Sequence, residues 1–309
     1  MRRGCRTRIA VGLLLTVLPG ICVAGGTGRA KAGQELLMDM ARVLAAVKKP
    51  AATICGIGAP ATGVHRAHGP KPMDFTRKIT LSNGKINYGL KYWMNVQTAE
   101  GAAPLAIEGT TGLGMDRPSS VNWYCNNFLE FTYGGVPILK TVLAEFSEEP
   151  KGTLRIRWCT EQAEVVVLLS LPTDGVHLDL VCHVVAKSNP KPFAIGFRAY
   201  PGHTARPRNR RAQTALRLIS PTAKLPLPPG ECRLVLYDEA DVAKTACAID
   251  VTDVGQNSTE LNIQDYGVTV TLGYPAVPRT ETGTMRLWDV GRGSVNAAMD
   301  LVLGDGEAE

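Results

Sequence analysis

The chain is poor in the residues and spacings that most often name a reaction. It has five histidines in 309 residues, none in an H-E-x-x-H spacing, and eight cysteines with no C-x-x-C pair, so no zinc or dithiol motif is present. A phosphate-cradling glycine loop, a G-x-S-x-G elbow and a calcium-type acidic loop are also missing, which removes the common signatures of nucleotide, acyl-transfer and calcium chemistry. Apart from one short run near the N-terminus, no stretch approaches the 18 uninterrupted apolar residues of a membrane-spanning helix. Strong basicity is lacking once the N-terminal segment is set aside. The formal charge of +6 includes Arg2, Arg3, Arg6 and Arg8, and removing those four with no accompanying acid leaves +2. That balance gives nucleic-acid binding no electrostatic footprint.

What is there begins with those arginines. They precede the apolar run 9–18, a break at Pro19-Gly20 and a small-residue exit at Cys22-Val23-Ala24. An apolar run of about 10 residues is half of what a bilayer needs, and the pattern predicts a secretory signal peptide over 1–24. Lipidation at Cys22 is the alternative, disfavoured because Ile21 stands where a small residue is usual. The expected location is therefore secreted or periplasmic, with no transmembrane anchor after cleavage. Cys55, Cys125, Cys159, Cys182, Cys232 and Cys247 remain. In an oxidising compartment an even count permits three disulfides, with Cys232–Cys247 favoured by proximity, whereas Cys182 reads as a small buried hydrophobe.

Residues 34–47 place Leu36, Met40, Val43, Leu44 and Val47 on one stripe and predict a helix ended by Pro50. A Gly/Ala/Pro-rich linker with His65 and His68 follows to residue 72. From Met73 onward the pattern is of strands. Asn83-Gly84 between 75–81 and 85–97 predicts a type I′ hairpin, and Gly134-Gly135 joins 121–133 to 136–146 in a second hairpin. Segments 153–159, 163–171, 176–187 and 193–200 follow as a four-strand meander, and further strands are expected at 215–219, 233–237, 246–251, 260–263, 267–272 and 284–288. Residues 165–169 are apolar on both faces, as in a strand covered on both sides. The proline-rich stretch 221–230 cannot lie inside a sheet.

Alternation over 176–187 sets His177, Asp179 and His183 on one face. His177 and Asp179 lie ~6.8 Å apart, within reach of a common group, whereas His183 lies ~20 Å from His177 and cannot join them in one metal site. The same alternation gives wet positions to Arg155 and Arg157, and to Arg198 and Tyr200. If these faces coincide, they form a polar platform on which guanidinium groups fork onto carboxylates and a ring meets sugar C–H groups. The run after Tyr200, with His203, Arg206, Arg208, Arg210 and Arg211, is the most basic of the mature chain and the expected docking loop for an anion. Trp123, in the cluster Trp123-Tyr124-Cys125-Asn126-Asn127-Phe128, reads as core or, beside Asn127, as a sugar-stacking position. Trp93, Trp158 and Trp288 read as packing residues.

These features predict an all-β protein: a large antiparallel β-sandwich of two packed sheets over 73–309, after a signal peptide and a short N-terminal helix and linker over 25–72. The expected function is an exported, non-catalytic glycan-binding or envelope-associated interaction module with neither cofactor nor metal. Its partner is expected to be an acidic polysaccharide, another glycan or a protein, with Arg155, Arg157, Arg198, Arg206, Arg208 and Trp123 as ligand contacts. One alternative is a polysaccharide lyase or sugar epimerase using His203, Tyr200, His177 and Asp179. The other is a purely structural surface protein.

Overall fold

The computed structural model describes residues 53–59, 61–64, 73–97, 106–119, 122–125, 127–140, 142–203, 207–264 and 267–289, all within the unit Pro50–Glu309. The signal peptide, the helix over 34–47, His65, His68 and Arg206 lie outside the described residues.

Two antiparallel sheets pack face to face. The first holds β1 (Ile54–Ile57), β2 (Ala61–Val64), β3 (Met73–Ser82), β4 (Asn87–Gln97), β5 (Ala106–Arg117), β6 (Leu129–Tyr133), β7 (Val136–Pro137), β12 (Phe193–Ala199), β15 (Leu225–Pro226), β18 (Ser258–Gln264) and β19 (Gly267–Tyr274), in the order β1-β3-β4-β5-β6-β12-β19-β18-β15. The second holds β8 (Glu145–Glu149), β9 (Thr153–Cys159), β10 (Ala163–Ser170), β11 (Leu178–Ala186), β13 (Arg210–Gln213), β14 (Leu218–Ile219), β16 (Arg233–Asp238), β17 (Cys247–Asp250), β20 (Arg279–Glu281) and β21 (Met285–Asp289), in the order β14-β13-β16-β17-β21-β11-β10-β9-β8. Period-2 alternation builds the core, as in β9, where Leu154, Ile156 and Trp158 are buried while Arg155 and Arg157 stay half-exposed. One continuous apolar cluster joins inward residues of both sheets, Leu90, Phe131 and Phe197 from the first with Ile156, Val167 and Leu180 from the second.

Several expectations change on inspection. The sheet starts before Met73, because Cys55 is buried opposite Leu81 and so ties part of the supposed linker into the core. The Asn83-Gly84 turn is a four-residue loop, since Ser82 pairs with Asn87. Its asparagine serves through its side chain. Asn83 Oδ1 accepts the N–H groups of Lys85 (3.0 Å) and Ile86 (3.1 Å), and Nδ2 donates to the carbonyls of Pro172 (2.6 Å) and Gly175 (2.8 Å), bolting one sheet to the other. The meander has three strands in one sheet, β9, β10 and β11; β12 crosses to the first sheet beside β6. Strand β10 is not covered on both sides, as Val166 and Leu168 stand half-exposed on the outer face. The proline-rich stretch lies along the edge of the first sheet, where β15 pairs with Leu261 and Glu260 and missing N–H groups are tolerated.

All six cysteines from Cys55 to Cys247 are free. Leu236 pairs with Cys247 and the Val251 N–H donates to the Cys232 carbonyl. The proposed pair is therefore offset by four residues, ~13 Å along the strands, far beyond disulfide reach. Cys182 is fully buried and burial pushes its thiol pKa up.

A buried polar knot ties the sheets together at one end. Asp289 accepts from Asn122 Nδ2 (2.6 Å) and the Ser119 N–H (2.8 Å), the Tyr88 hydroxyl donates to the Val176 carbonyl (2.7 Å), and Trp123 Nε1 donates to the Trp288 carbonyl (3.0 Å). Burial raises the Asp289 pKa to about 6, against the opposing pull of the Asn122 and Ser119 hydrogen bonds.

Candidate functional site

The outer face of the first sheet is where predicted contact residues survive as a site. Outward positions of β6, β12, β19 and β18 line up as Thr132, Ala194, Gly273 and Ser258 in one row, then Glu130, Gly196, Thr271 and Glu260, then Arg198, Thr269 and Asn262. Small residues occupy the middle strands, so the face is a shallow trough with polar walls. At Gly196 an added Cβ would meet nothing closer than Glu130 Cβ at 3.5 Å. Packing therefore does not demand glycine there, and a glycine in a central strand commonly marks close approach by a ligand or another backbone. The Ser258 end opens onto a cleft of about 400 Å³ lined by Leu227, Asp253, Gln256, Asn257 and Thr259.

At the other end the chain leaves regular structure. Residues 122–125 run beside β12 through a single bridge, Trp123 to Ala199, with the Tyr124 N–H donating to the Arg198 carbonyl (3.1 Å) and the Tyr200 N–H to that of Asn122 (2.7 Å). This stacks four side chains. The Arg198 guanidinium lies 5.1 Å from the Tyr124 ring centre, Tyr124 meets Tyr200 edge-on at 6.1 Å, and the Arg210 guanidinium sits 4.7 Å from the Tyr200 ring centre. Arg198 Nη1 lies 3.6 Å from Glu130 Oε1, which also accepts from Asn127 Nδ2 at 2.8 Å. Arg198, Tyr124 and Tyr200 are half-exposed, and the rigid stack holds them in place.

Other predicted residues go elsewhere. Trp123 is fully buried, so it offers no face to a sugar. Residues 122–125 and 127–128 of its cluster form no strand, and Phe128 is core as well. Arg155 and Arg157 lie on the outer face of the second sheet, on the opposite side of the sandwich from Arg198. Arg157 is committed to its neighbours: it forks onto Glu164 (2.8 and 3.2 Å) and reaches Glu145 (2.8 Å), which hold its pKa above the usual guanidinium value. His177 and Asp179 do meet, Nε2 to Oδ1 at 3.4 Å, but also on the second sheet, with His177 packed 5.0 Å from the Trp288 ring centre. The expected common platform therefore does not form, and the lyase or epimerase constellation of Tyr200 with His177 and Asp179 is split between opposite faces. His203 ends the turn Pro201–His203, described in its backbone alone. Arg208 is exposed beyond it. Among the described residues, no group of three or more His, Cys, Asp and Glu converges as metal ligands.

Glu130 carries no signal in the sequence, and Tyr124 and Asn127 appear there only as neighbours of Trp123. Arg210 looked like one more charge on a basic loop, yet it opens β13 opposite Asp238, is fully buried and donates to the Gln264 carbonyl at 2.6 Å. Residues 210–213, Arg-Arg-Ala-Gln, show no apolar alternation, so the burial of Arg210 follows from pairing with β16 and not from local pattern.

Fold and face together define a class, an antiparallel β-sandwich with an open, polar sheet face. No protein-family model and no curated protein matches the chain.

Proposed function

We propose that the protein is an exported, non-catalytic glycan-binding module that lays an oligosaccharide across the outer face of the first sheet. The observation that carries this reading is the sterically unneeded Gly196 at the centre of a polar trough flanked by the Arg198–Tyr124–Tyr200 stack. A pyranose needs a flat floor, donors and acceptors for its hydroxyls and an aromatic edge or face for its C–H groups; the half-exposed Ala194, Thr269, Asn262, Glu130 and Tyr124 around the buried Gly196 supply these. Because Glu130 and Glu260 share the face with Arg198, the ligand that suits it is neutral or carries a single acidic group near Arg198, which narrows the polyanionic glycan expected from sequence. Export rests on the N-terminal leader pattern.

A thermal-shift screen against neutral, uronate-containing and sulfated oligosaccharides tests the reading, since a ligand bound by the folded state raises Tm. Neutral or singly acidic sugars are expected to raise it, and Tyr124→Ala and Arg198→Ala to abolish the rise. A response confined to sulfated chains, or one that survives both substitutions, would move the site to the arginine loop. A flat response to every sugar would leave the structural surface protein ahead.

A further inference from the structure

The outer face of the second sheet is apolar in two places that are treated differently by the chain. Over β16, β17 and β21, the outward residues Val235, Tyr237, Ala248 and Trp288 are buried because Val176 and Val242 pack across them. Over β10 and β11, the outward residues Val166, Leu168 and Val181 are half-exposed and Val185 is 37% exposed. These four belong to neither buried cluster. A solvated sheet face normally carries polar residues, and a contiguous aliphatic strip on two central strands marks a contact surface.

We infer that this strip is the interface of a two-fold symmetric dimer, its occupant a second copy of the same chain. Consider an axis lying between two facing sheets along the β10–β11 boundary: it sets β10 of one copy over β11 of the other and β9 over β20 and β21. Leu168 and Val181 are register partners, so each meets the other across the axis, and Val166 meets His183 in the same way. The flanking charges then fall on their opposites. Arg157, which already bridges Glu164 and Glu145 in its own chain, shares a row with Val166, His183 and Glu281, so the partner subunit's Glu281 falls over that network. Arg279, paired with Val185 one step along, falls beside the partner's Glu164; Arg286, paired with Asp179, falls level with Thr153 and beside the partner's Glu149. Five strands at about 4.8 Å spacing and about 25 Å length give roughly 600 Å² of projected face, of the order that a specific interface of ~800 Å² per partner requires.

Sedimentation equilibrium of the full chain from 1 to 200 μM reads the result directly. The expected mass is twice that of the chain, falling to the monomer for Leu168→Asp, with dissociation at least tenfold easier for Glu281→Lys at low salt. Gly196→Val, on the other sheet, is expected to leave the dimer intact. If Leu168→Asp disturbs folding, Glu281→Lys decides, because Glu281 is exposed. A monomer throughout the range, or a dimer that withstands both second-sheet substitutions, overturns the proposal.

Discussion

The two outer faces of this sandwich are produced by the same period-2 rule and yet carry opposite chemistry. On the first sheet the outward positions of the central strands are Ala194, Gly196, Arg198, Thr269, Thr271 and Gly273; on the second they include Val166, Leu168, Val181, Tyr237, Ala248 and Trp288, beside the polar Glu164, Asp179 and His183. Alternation decides which side chains make the core and is silent about what the outside is for. The outward residue types carry that information: small and polar where a saccharide is proposed to lie, aliphatic where a protein surface is.

The contrast is broken most strongly at Trp288. It points outward but is 1% exposed beneath Val176 and Val242, so Trp288→Ala is expected to cost about 3–5 kcal/mol, as a core truncation does. Leu168→Ala on the uncovered half of the same face is expected to cost less than ~1 kcal/mol in the monomer. Urea unfolding of both variants on the Glu281→Lys background measures this, and equal costs would remove the distinction between the covered and open halves. Next comes Asn83, whose buried amide joins the sheets. Asn83→Ala leaves the Pro172 and Gly175 carbonyls without it and is expected to cost about 1–3 kcal/mol in the same experiment.

Asp289 gives an effect of similar size that depends on pH with a definite sign. Its pKa is raised from 3.8 to about 6 by burial, so the folded state binds its proton more tightly than the unfolded state does. Its contribution is most favourable below pH 4 and is lost as pH rises from 4 through 6, on the order of 2 to 3 kcal/mol across that window. The stability difference between the wild type and Asp289→Asn is expected to shift in the wild type's favour as pH falls through that window. A difference that stays constant between pH 4 and 6 would contradict this account of the knot. The mildest test is chemical: Cys125 and Cys159 are half-exposed, whereas Cys55, Cys182, Cys232 and Cys247 are buried, with burial raising the Cys55 pKa to about 11. Alkylation of the native protein is expected to modify the first two rapidly and the other four after unfolding.

How much of this could be read in advance follows from where local pattern governs. Strand β9 was legible because Leu154, Ile156 and Trp158 alternate with arginines, β11 because Leu178, Leu180 and Cys182 recur at every second position, and β10 as an unbroken β-branched and aliphatic run. The crossing of β12 was not, since sheet membership depends on pairing with Glu130 and Phe131 some 60 residues away, and period-2 patterns look the same in either sheet. Asn83-Gly84 signalled a turn correctly but its type wrongly, because the side-chain bonds of Asn83 to Pro172 and Gly175 are tertiary. In the candidate site, Arg198 and Tyr200 were visible as wet positions of a strand. Their partners were not: Tyr124 comes from an irregular segment and Glu130 from β6, both brought alongside only by the fold, and the burial of Arg210 is likewise a product of tertiary packing.

The central claim is that the first face binds sugar and the second does not. Isothermal titration of the best neutral or uronate-containing oligosaccharide into wild type, Gly196→Val and Leu168→Asp tests it most directly. The account predicts saturable binding that Gly196→Val abolishes, with Tm little changed, and that Leu168→Asp retains. Binding that survives Gly196→Val and disappears in Leu168→Asp would contradict it.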